Sequence, residues 1–233
     1  MESKKNCVRA MGRPNLVFYG GDEFKVHPNV YEPAEDTFLL AGNLDVHRGE
    51  RVLELGTGCG LLAILAAKAG VKVVATDINP SALECARVNA ATQGVKDYID
   101  FRLGDLFEPV FGERFDLIVF NPPYLPVRPE EALGAPLDLA WEAGPDGRAV
   151  IDRFLGELPK HLTPNGRAMF VQSSLADISK TLRMLGTNGF QVKILREKLP
   201  FECLYLLHCF KTAQEKTHNS RLFFLDSQEV EQA

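Results

Sequence analysis

From residue 51 onward the chain switches between two hydrophobic periods. "RVLEL" (51–55), "KVVAT" (72–76) and "FDLIVF" (115–120) are short, nearly continuous apolar runs, the pattern of strands buried on both faces. "YIDFRL" (98–103) alternates instead, placing Ile99, Phe101 and Leu103 on one protected side. The segments between them have helical spacing. "LLAILAAKAG" (61–70) predicts a helix ending at Gly70, a residue suited to the left-handed C-terminal cap. "INPSALECARVNAATQG" (78–94) predicts another, with Asn79 as N-cap, Pro80 at the first helical position and Gly94 past the end. In "GRAVIDRFLGEL" (147–158), Ile151, Phe154, Leu155 and Leu158 share one helical face.

The flanks read differently. "LVFYGGDEFKVH" (16–27) predicts a hairpin turning at Gly20-Gly21, and "AEDTFLLAGNL" (34–44) a helix. "PNG" (164–166) turns into a strand at "RAMFVQ" (167–172), and a helix follows over about 175–186. "FQVKILREKL" and "CLYLLHCF" predict a closing antiparallel pair. The tail after Lys211 is polar except for "LFFL" (222–225). The expected organisation is therefore a hairpin and helix over 1–45, one α/β domain over 46–210, and a polar tail over 211–233.

Strand–helix alternation implies a doubly wound parallel sheet with both faces covered. Ligands of such sheets bind outside the carboxyl ends of the strands, so the loops after residues 55, 76, 103 and 120 should share one site. The first, "LELGTGCG" (53–60), is glycine-rich and lets backbone approach a ligand. Gly56 and Gly58 are the candidate contacts. The second ends at Asp77, 21 residues after Gly56, the spacing at which an acid accepts hydrogen bonds from ribose hydroxyls. The third glycine comes at Gly60, one residue early for the dinucleotide fingerprint. Glu54, two residues before Gly56, would repel a pyrophosphate but suits a ligand carrying an ammonium and a sulfonium. That favours S-adenosyl-L-methionine over NAD. In "LGDLF" (103–107), Asp105 at the third strand end is placed to accept an adenine amine, with Leu106 or Phe107 packing on the ring.

The fourth loop, "NPPYLP" (121–126), ends a buried strand on a stiff corner. The Asn121 oxygen and the Pro122 carbonyl are acceptors. Neither Pro122 nor Pro123 has an N–H to donate, and fixed φ angles hold the loop still. Tyr124 supplies a flat face. Two rigid acceptors beside an aromatic ring are complementary to a planar –NH2 group. Acceptors bonded to such a group strengthen as positive charge develops on its nitrogen during methylation.

Composition narrows the picture. The chain has 233 residues, a net charge of −5 and a pI near 5.6, which argues against a dedicated duplex-DNA binder. No apolar run approaches the ~20 residues of a membrane span, and "MESKKNCVRAMGRPN" lacks the apolar stretch of a signal peptide. Five cysteines, Cys7, Cys59, Cys85, Cys203 and Cys209, form no C-x-x-C pair, so free thiols and a cytoplasmic location are expected. Histidine spacing suggests no metal site.

Three stretches, "VYEPAEDTFLL" (30–40), "LELGTGCG" and "NPPYLP", resemble the class I S-adenosylmethionine-dependent methyltransferases. More narrowly they resemble the HemK/PrmC family of protein-glutamine N5-methyltransferases, in its short archaeal and eukaryotic branch. The resemblance runs from about residue 16 to 210. It implies a Rossmann-like sheet of strand order 3-2-1-4-5-7-6, the last strand antiparallel, with "YIDFRL" at one edge. It implies that Thr37, Glu54, Gly56, Asp77, Asp105 and Leu106 hold the cofactor, and that Asn121, Pro122, Pro123 and Tyr124 hold the target amide. The implied substrate is the glutamine of the Gly-Gly-Gln tip of a class I peptide release factor, which places the chain in translation termination. Relatives in the short branch work with a small zinc-binding activator protein, which would dock along residues 98–103. The long connection from Val127 to Gly144 suggests a functional lid, with Trp141 either in it or packing the next helix. An adenine-N6 methyltransferase, a lysine-directed one and a non-catalytic cofactor-binding module are the other readings.

Overall fold

The computed structural model describes residues 14–126 and 143–211, and residues 222–226 by their backbone. The connection from 127 to 142, with Trp141 and most of the expected lid, lies outside the described residues, as do Cys7 and the flanking parts of the tail. The hairpin forms where its turn chemistry requires. β1 (Asn15–Tyr19) and β2 (Asp22–Val26) are joined by Gly20 and Gly21, both at positive φ, as a tight two-residue turn needs. Helix α1 (Glu35–Gly42) follows.

The core then alternates: β3 (Arg51–Leu55), α2 (Leu61–Lys68), β4 (Lys72–Asp77), α3 (Pro80–Thr92), β5 (Ile99–Leu103) and β6 (Phe115–Phe120). After the undescribed connection come α4 (Ala149–His161), β7 (Leu162–Ser173), α5 (Ile178–Thr187), β8 (Phe190–Lys198) and β9 (Cys203–Lys211). A last strand, β10 (Leu222–Asp226), closes the order.

The large sheet runs β10-β8-β9-β7-β6-β3-β4-β5. Counted from β3, this is the expected order 3-2-1-4-5-7-6, with β9 antiparallel to both neighbours. The addition is β10, which pairs parallel with β8. The tail past 211 is thus not wholly apart from the core: its one apolar stretch extends the sheet. Among the described residues the other edge is β5, bonded only to β4.

Local signals explain most boundaries. Asn79 caps α3, its side chain accepting from the Ser81 N–H at 2.9 Å, a cap worth about 1 kcal/mol. The third glycine of the loop, Gly60, has φ near +88°, and a Cβ there would sit 2.9 Å from the Ala86 Cβ. Its place is therefore set by the packing of α2 on α3. Ile151, Phe154, Leu155 and Leu158 of α4 are all buried. Buried Asn89 of α3 joins two parts of the chain. It exchanges hydrogen bonds with the Lys25 backbone at 3.0 and 2.9 Å and donates to the Cys59 carbonyl at 2.8 Å. That ties the hairpin to the glycine loop.

Three expectations need correction. Leu103 does not share the protection of Ile99 and Phe101; it is 58% exposed, because it ends the edge strand beyond the cover of α3. "PNG" is not a turn preceding a strand. It lies inside β7 as an irregularity where the pairing jumps from Phe115–Leu162 to Leu117–Arg167. The helix expected from about 175 begins at Ile178, after a short 3-10 turn over Ser174–Ala176. Among the described residues no helix is long and apolar enough to cross a membrane, and Cys59, Cys85, Cys203 and Cys209 are free thiols.

Candidate active site

The carboxyl ends of β3, β4, β5 and β6 open into one cavity of about 300 Å3. Thr37, Glu54, Gly56, Gly58, Asp77, Asp105, Leu106, Asn121, Pro122, Pro123 and Tyr124 all line it. Backbone bonds fasten the loops together. The Thr57 N–H donates to the Thr76 carbonyl at 2.9 Å, and the Gly104 N–H to the Asp77 carbonyl at 3.0 Å. Gly56 and Gly58 have φ near +64° and +55°, conformations other residues adopt at a cost.

Two buried acids face this loop. Asp77 accepts the Gly58 N–H at 2.9 Å through one oxygen and the Asn79 N–H at 2.8 Å through the other. Burial raises its pKa, and those backbone donors oppose the rise. Glu54 is enclosed more completely. The Thr57 hydroxyl donates to it at 2.5 Å and the Ala63 N–H at 3.1 Å. Burial pushes its carboxyl up to about 8, against those two bonds, and the nearby Asp77 adds to the rise. An acid held this way calls for a cation, whose charge would favour the ionised form.

At the third strand end Asp105 is already paired: the Arg153 guanidinium of α4 donates to it at 2.6 Å. Leu106 beside it adopts φ of 45°, unusual for a residue with a side chain. Asp105 can still offer its second oxygen to a ligand. Spacing did not reveal Arg153, because the pair spans 48 residues.

The fourth loop is held from the side of α1. Asn121 Nδ2 donates to Thr37 Oγ1 at 3.2 Å. Asn121 Oδ1 is buried and has no hydrogen-bond partner among the described residues. The Tyr124 hydroxyl donates to Asp36 at 2.8 Å, and Tyr31 donates to the same carboxylate at 3.0 Å. Burial first, then the charge of Asp36, raises the pKa of both phenols. Asp36 and Tyr31 belong to the "YEPAEDT" stretch, but its spacing gave no sign that they would converge under Tyr124. From the other side Gly147 presses on the loop: a Cβ there would lie 2.3 Å from the Tyr124 carbonyl oxygen.

The relatives of this chain are consistent with such a site. Residues 23–132 match the Methyltransferase small domain family. A putative protein N5-glutamine methyltransferase of Methanocaldococcus jannaschii is 45% identical over 193 residues, spanning 82% of this chain and 96% of the relative. The chain belongs to the protein N5-glutamine methyltransferase family. Methyltransferase HEMK2 of Homo sapiens is 37% identical over 70% of this chain and 80% of its own. Among solved structures, the E. cuniculi Mtq2–Trm112 complex, responsible for methylation of the translation termination factor eRF1, matches with a TM-score of 0.59. It is 27% identical, covering 79% of this chain and 99% of that one. Family members are enzymes, and the class I sheet found here is the methyltransferase fold.

Proposed function

We propose that this chain methylates the side-chain amide nitrogen of a glutamine, using S-adenosyl-L-methionine, in the Gly-Gly-Gln tip of a class I peptide release factor. One observation carries the reading. Among the described residues Asn121 Oδ1 is a buried acceptor without a partner, at the strand end that shares a cavity with Glu54 and Asp77. A buried acceptor left unmade is costly, and a planar –NH2 is the group that completes it. The E. cuniculi relative acts on a translation termination factor, which favours that substrate class.

The residues fit the cofactor. Asp77 would accept the ribose hydroxyls, Asp105 the adenine amine beside Leu106, and Glu54 the ammonium group. Gly56 and Gly58 leave backbone bare where the ligand approaches. When bound, the sulfonium supplies an electrophilic methyl group. The protein's task is then geometric. Asn121 Oδ1 and the Pro122 carbonyl accept the two amide hydrogens, turning the nitrogen lone pair out of conjugation. Pro123 keeps the corner stiff, and Tyr124 walls the amide. Holding nitrogen within about 3–3.5 Å of the carbon it attacks supplies much of the rate. Charge developing on nitrogen would strengthen both hydrogen bonds; the carbon–sulfur bond would break as the carbon–nitrogen bond forms, leaving a neutral thioether, and one amide proton would pass to water, since neither Asn121 nor the Pro122 carbonyl is a base. Flanking glycines in the substrate suit a narrow entry.

The E. cuniculi relative is complexed with Trm112, and a small activator protein bound to this chain in a similar way would make a second contact. We place such a partner, zinc-binding in the short branch, along β5, which offers a free edge and exposed Leu103 and Tyr98. An open strand edge accepts a strand from another chain. Proline substitutions across residues 98–102 should abolish activation while leaving cofactor affinity intact; activation that survives them all rules this contact out.

The deciding experiment is radiolabelled methyl transfer to purified release factor, to its Gln→Ala variant and to RNA in parallel, with and without the activator. Label in the first alone is expected. Label in the Gln→Ala factor or in RNA alone would overturn the assignment.

A further inference from the structure

Three hydroxyls and a backbone N–H gather on one buried carboxylate at the back of the cavity. Asp36 is 5% exposed. Its Oδ1 accepts the Thr37 N–H at 2.6 Å, the Thr37 hydroxyl at 3.2 Å and the Tyr31 hydroxyl at 3.0 Å. Its Oδ2 accepts the Tyr124 hydroxyl at 2.8 Å. A carboxylate only accepts, so each hydroxyl around it must spend its hydrogen on it. Thr37 has one such hydrogen. Toward its other neighbour, Asn121, it therefore shows lone pairs alone.

This fixes the polarity of Asn121. An amide presents an acceptor at one end and donors at the other, and only the donor end can meet Thr37 Oγ1, as it does at 3.2 Å. Turned by 180°, the amide would set its oxygen against a second acceptor and bury its nitrogen without one. The unpartnered Oδ1 is thus held outward, away from Thr37, by a chain of hydrogen-bond directions that begins at Asp36.

We propose that Asp36 and Thr37 are positioning residues that lock the Asn121 amide with its oxygen toward the incoming target group, and so select an –NH2 group over a carbonyl or carboxylate. This rests on the reading of Asn121 given above and goes beyond the cofactor role that the family resemblance implies for Thr37. It also gives the chain a means of telling glutamine from glutamate. With Oδ1 locked outward, a target carboxylate meets like polarity. With the lock removed, the amide can turn and greet it with a donor.

Thr37→Val tests this, keeping the branched shape but not the hydroxyl, with Thr37→Ser as the rescue. In Thr37→Val, kcat should fall about tenfold, the scale of one lost hydrogen bond, while the Kd for S-adenosylhomocysteine stays within about twofold; Thr37→Ser should restore kcat. The preference for binding the release factor over its Gln→Glu variant should shrink in Thr37→Val and return in Thr37→Ser. A loss of cofactor affinity with kcat unchanged would make Thr37 a cofactor ligand and overturn the proposal; so would an unchanged Gln/Glu preference. A readout on the free chain separates this from failure of the substrate assignment. The Asn121 side-chain NH2 pair in a 15N-edited spectrum, identified by its absence in Asn121→Asp, should shift in Thr37→Val and recover in Thr37→Ser. If wild type methylates no release factor but the pair shifts, the substrate is wrong and the lock stands. If the pair does not move, the lock is wrong whatever the substrate.

Discussion

The two halves of the cavity are built on opposite principles. On the side proposed to hold the cofactor the groups are tied down within the chain. Asp77 has a backbone donor on each oxygen, Glu54 has Thr57 and Ala63, and Asp105 has Arg153. On the side proposed for the methyl acceptor the supporting groups are tied down as firmly, through Asp36, but the atom at the front, Asn121 Oδ1, has no partner among the described residues. A site that binds by shape and charge can be internally complete before its ligand arrives. A site that reacts keeps one strong group unspent until the target enters.

The largest effect should come from the unspent group. Asn121→Ala is expected to cut kcat by a factor of about 100 to 1,000, the range for removing one charge-stabilising hydrogen-bonding group, while S-adenosylhomocysteine affinity by calorimetry stays within a few-fold. A collapse of that affinity would dissolve the division between the halves. Asp77→Ala should act in the opposite sense, weakening the cofactor by roughly 1.5–3 kcal/mol, the range for hydrogen bonds to a charged group, with little change in kcat at saturation. An unchanged Kd would remove Asp77 from the ribose.

Next comes pH, through Glu54. Near and below the ordinary carboxyl value of 4.5 the group is protonated whether the chain is folded or not. Between there and about 8 only the folded chain keeps the proton, so stability should fall as pH rises through that window and level off above it. Urea unfolding of wild type and Glu54→Gln between pH 4 and 9 isolates the effect: the variant should lack this part of the slope. Identical profiles would mean Glu54 is not held protonated. The smallest effect is expected from Arg153→Ala. Its ion pair with Asp105 is partly exposed, the Arg153 side chain at 55%, so the loss of stability should stay below about 1 kcal/mol. A larger loss, measured by the same unfolding curves, would show that the cofactor side depends on α4 more than a surface pair can explain.

The same contrast decides what could be read from sequence. β3, α2, β4, α3, β5 and β6 follow from periodicity, caps and glycines within a few residues of each other. The arrival of Gly56, Asp77, Asp105 and Asn121 at one edge follows from strand–helix alternation alone. The support under the acceptor does not. Tyr124 meets Asp36 across 88 residues and Asn121 meets Thr37 across 84, and no local rule links them. Arg153 lies on the polar side of its helix, where spacing does not set it apart from any other surface charge. Leu103 shows a limit of the alternation rule, since a strand's last residue can outrun the helix that covers it. β10 shows another, since the short apolar stretch of a polar tail carries no sign of whether an edge waits for it.

The approach of Gly147 to the Tyr124 carbonyl makes a residue with no side chain a gauge of the corner's shape. Gly147 has a φ of +71°, and an added Cβ would sit 2.3 Å from the Tyr124 oxygen and 3.2 Å from the Ala176 Cβ. The nearer obstacle is backbone, so no rotamer change can make room for it. A substituent there would have to push the Asn121–Tyr124 corner aside or lift the start of α4. The calibre of the corner is thus set from behind, by a bare Cα that supplies no chemistry of its own.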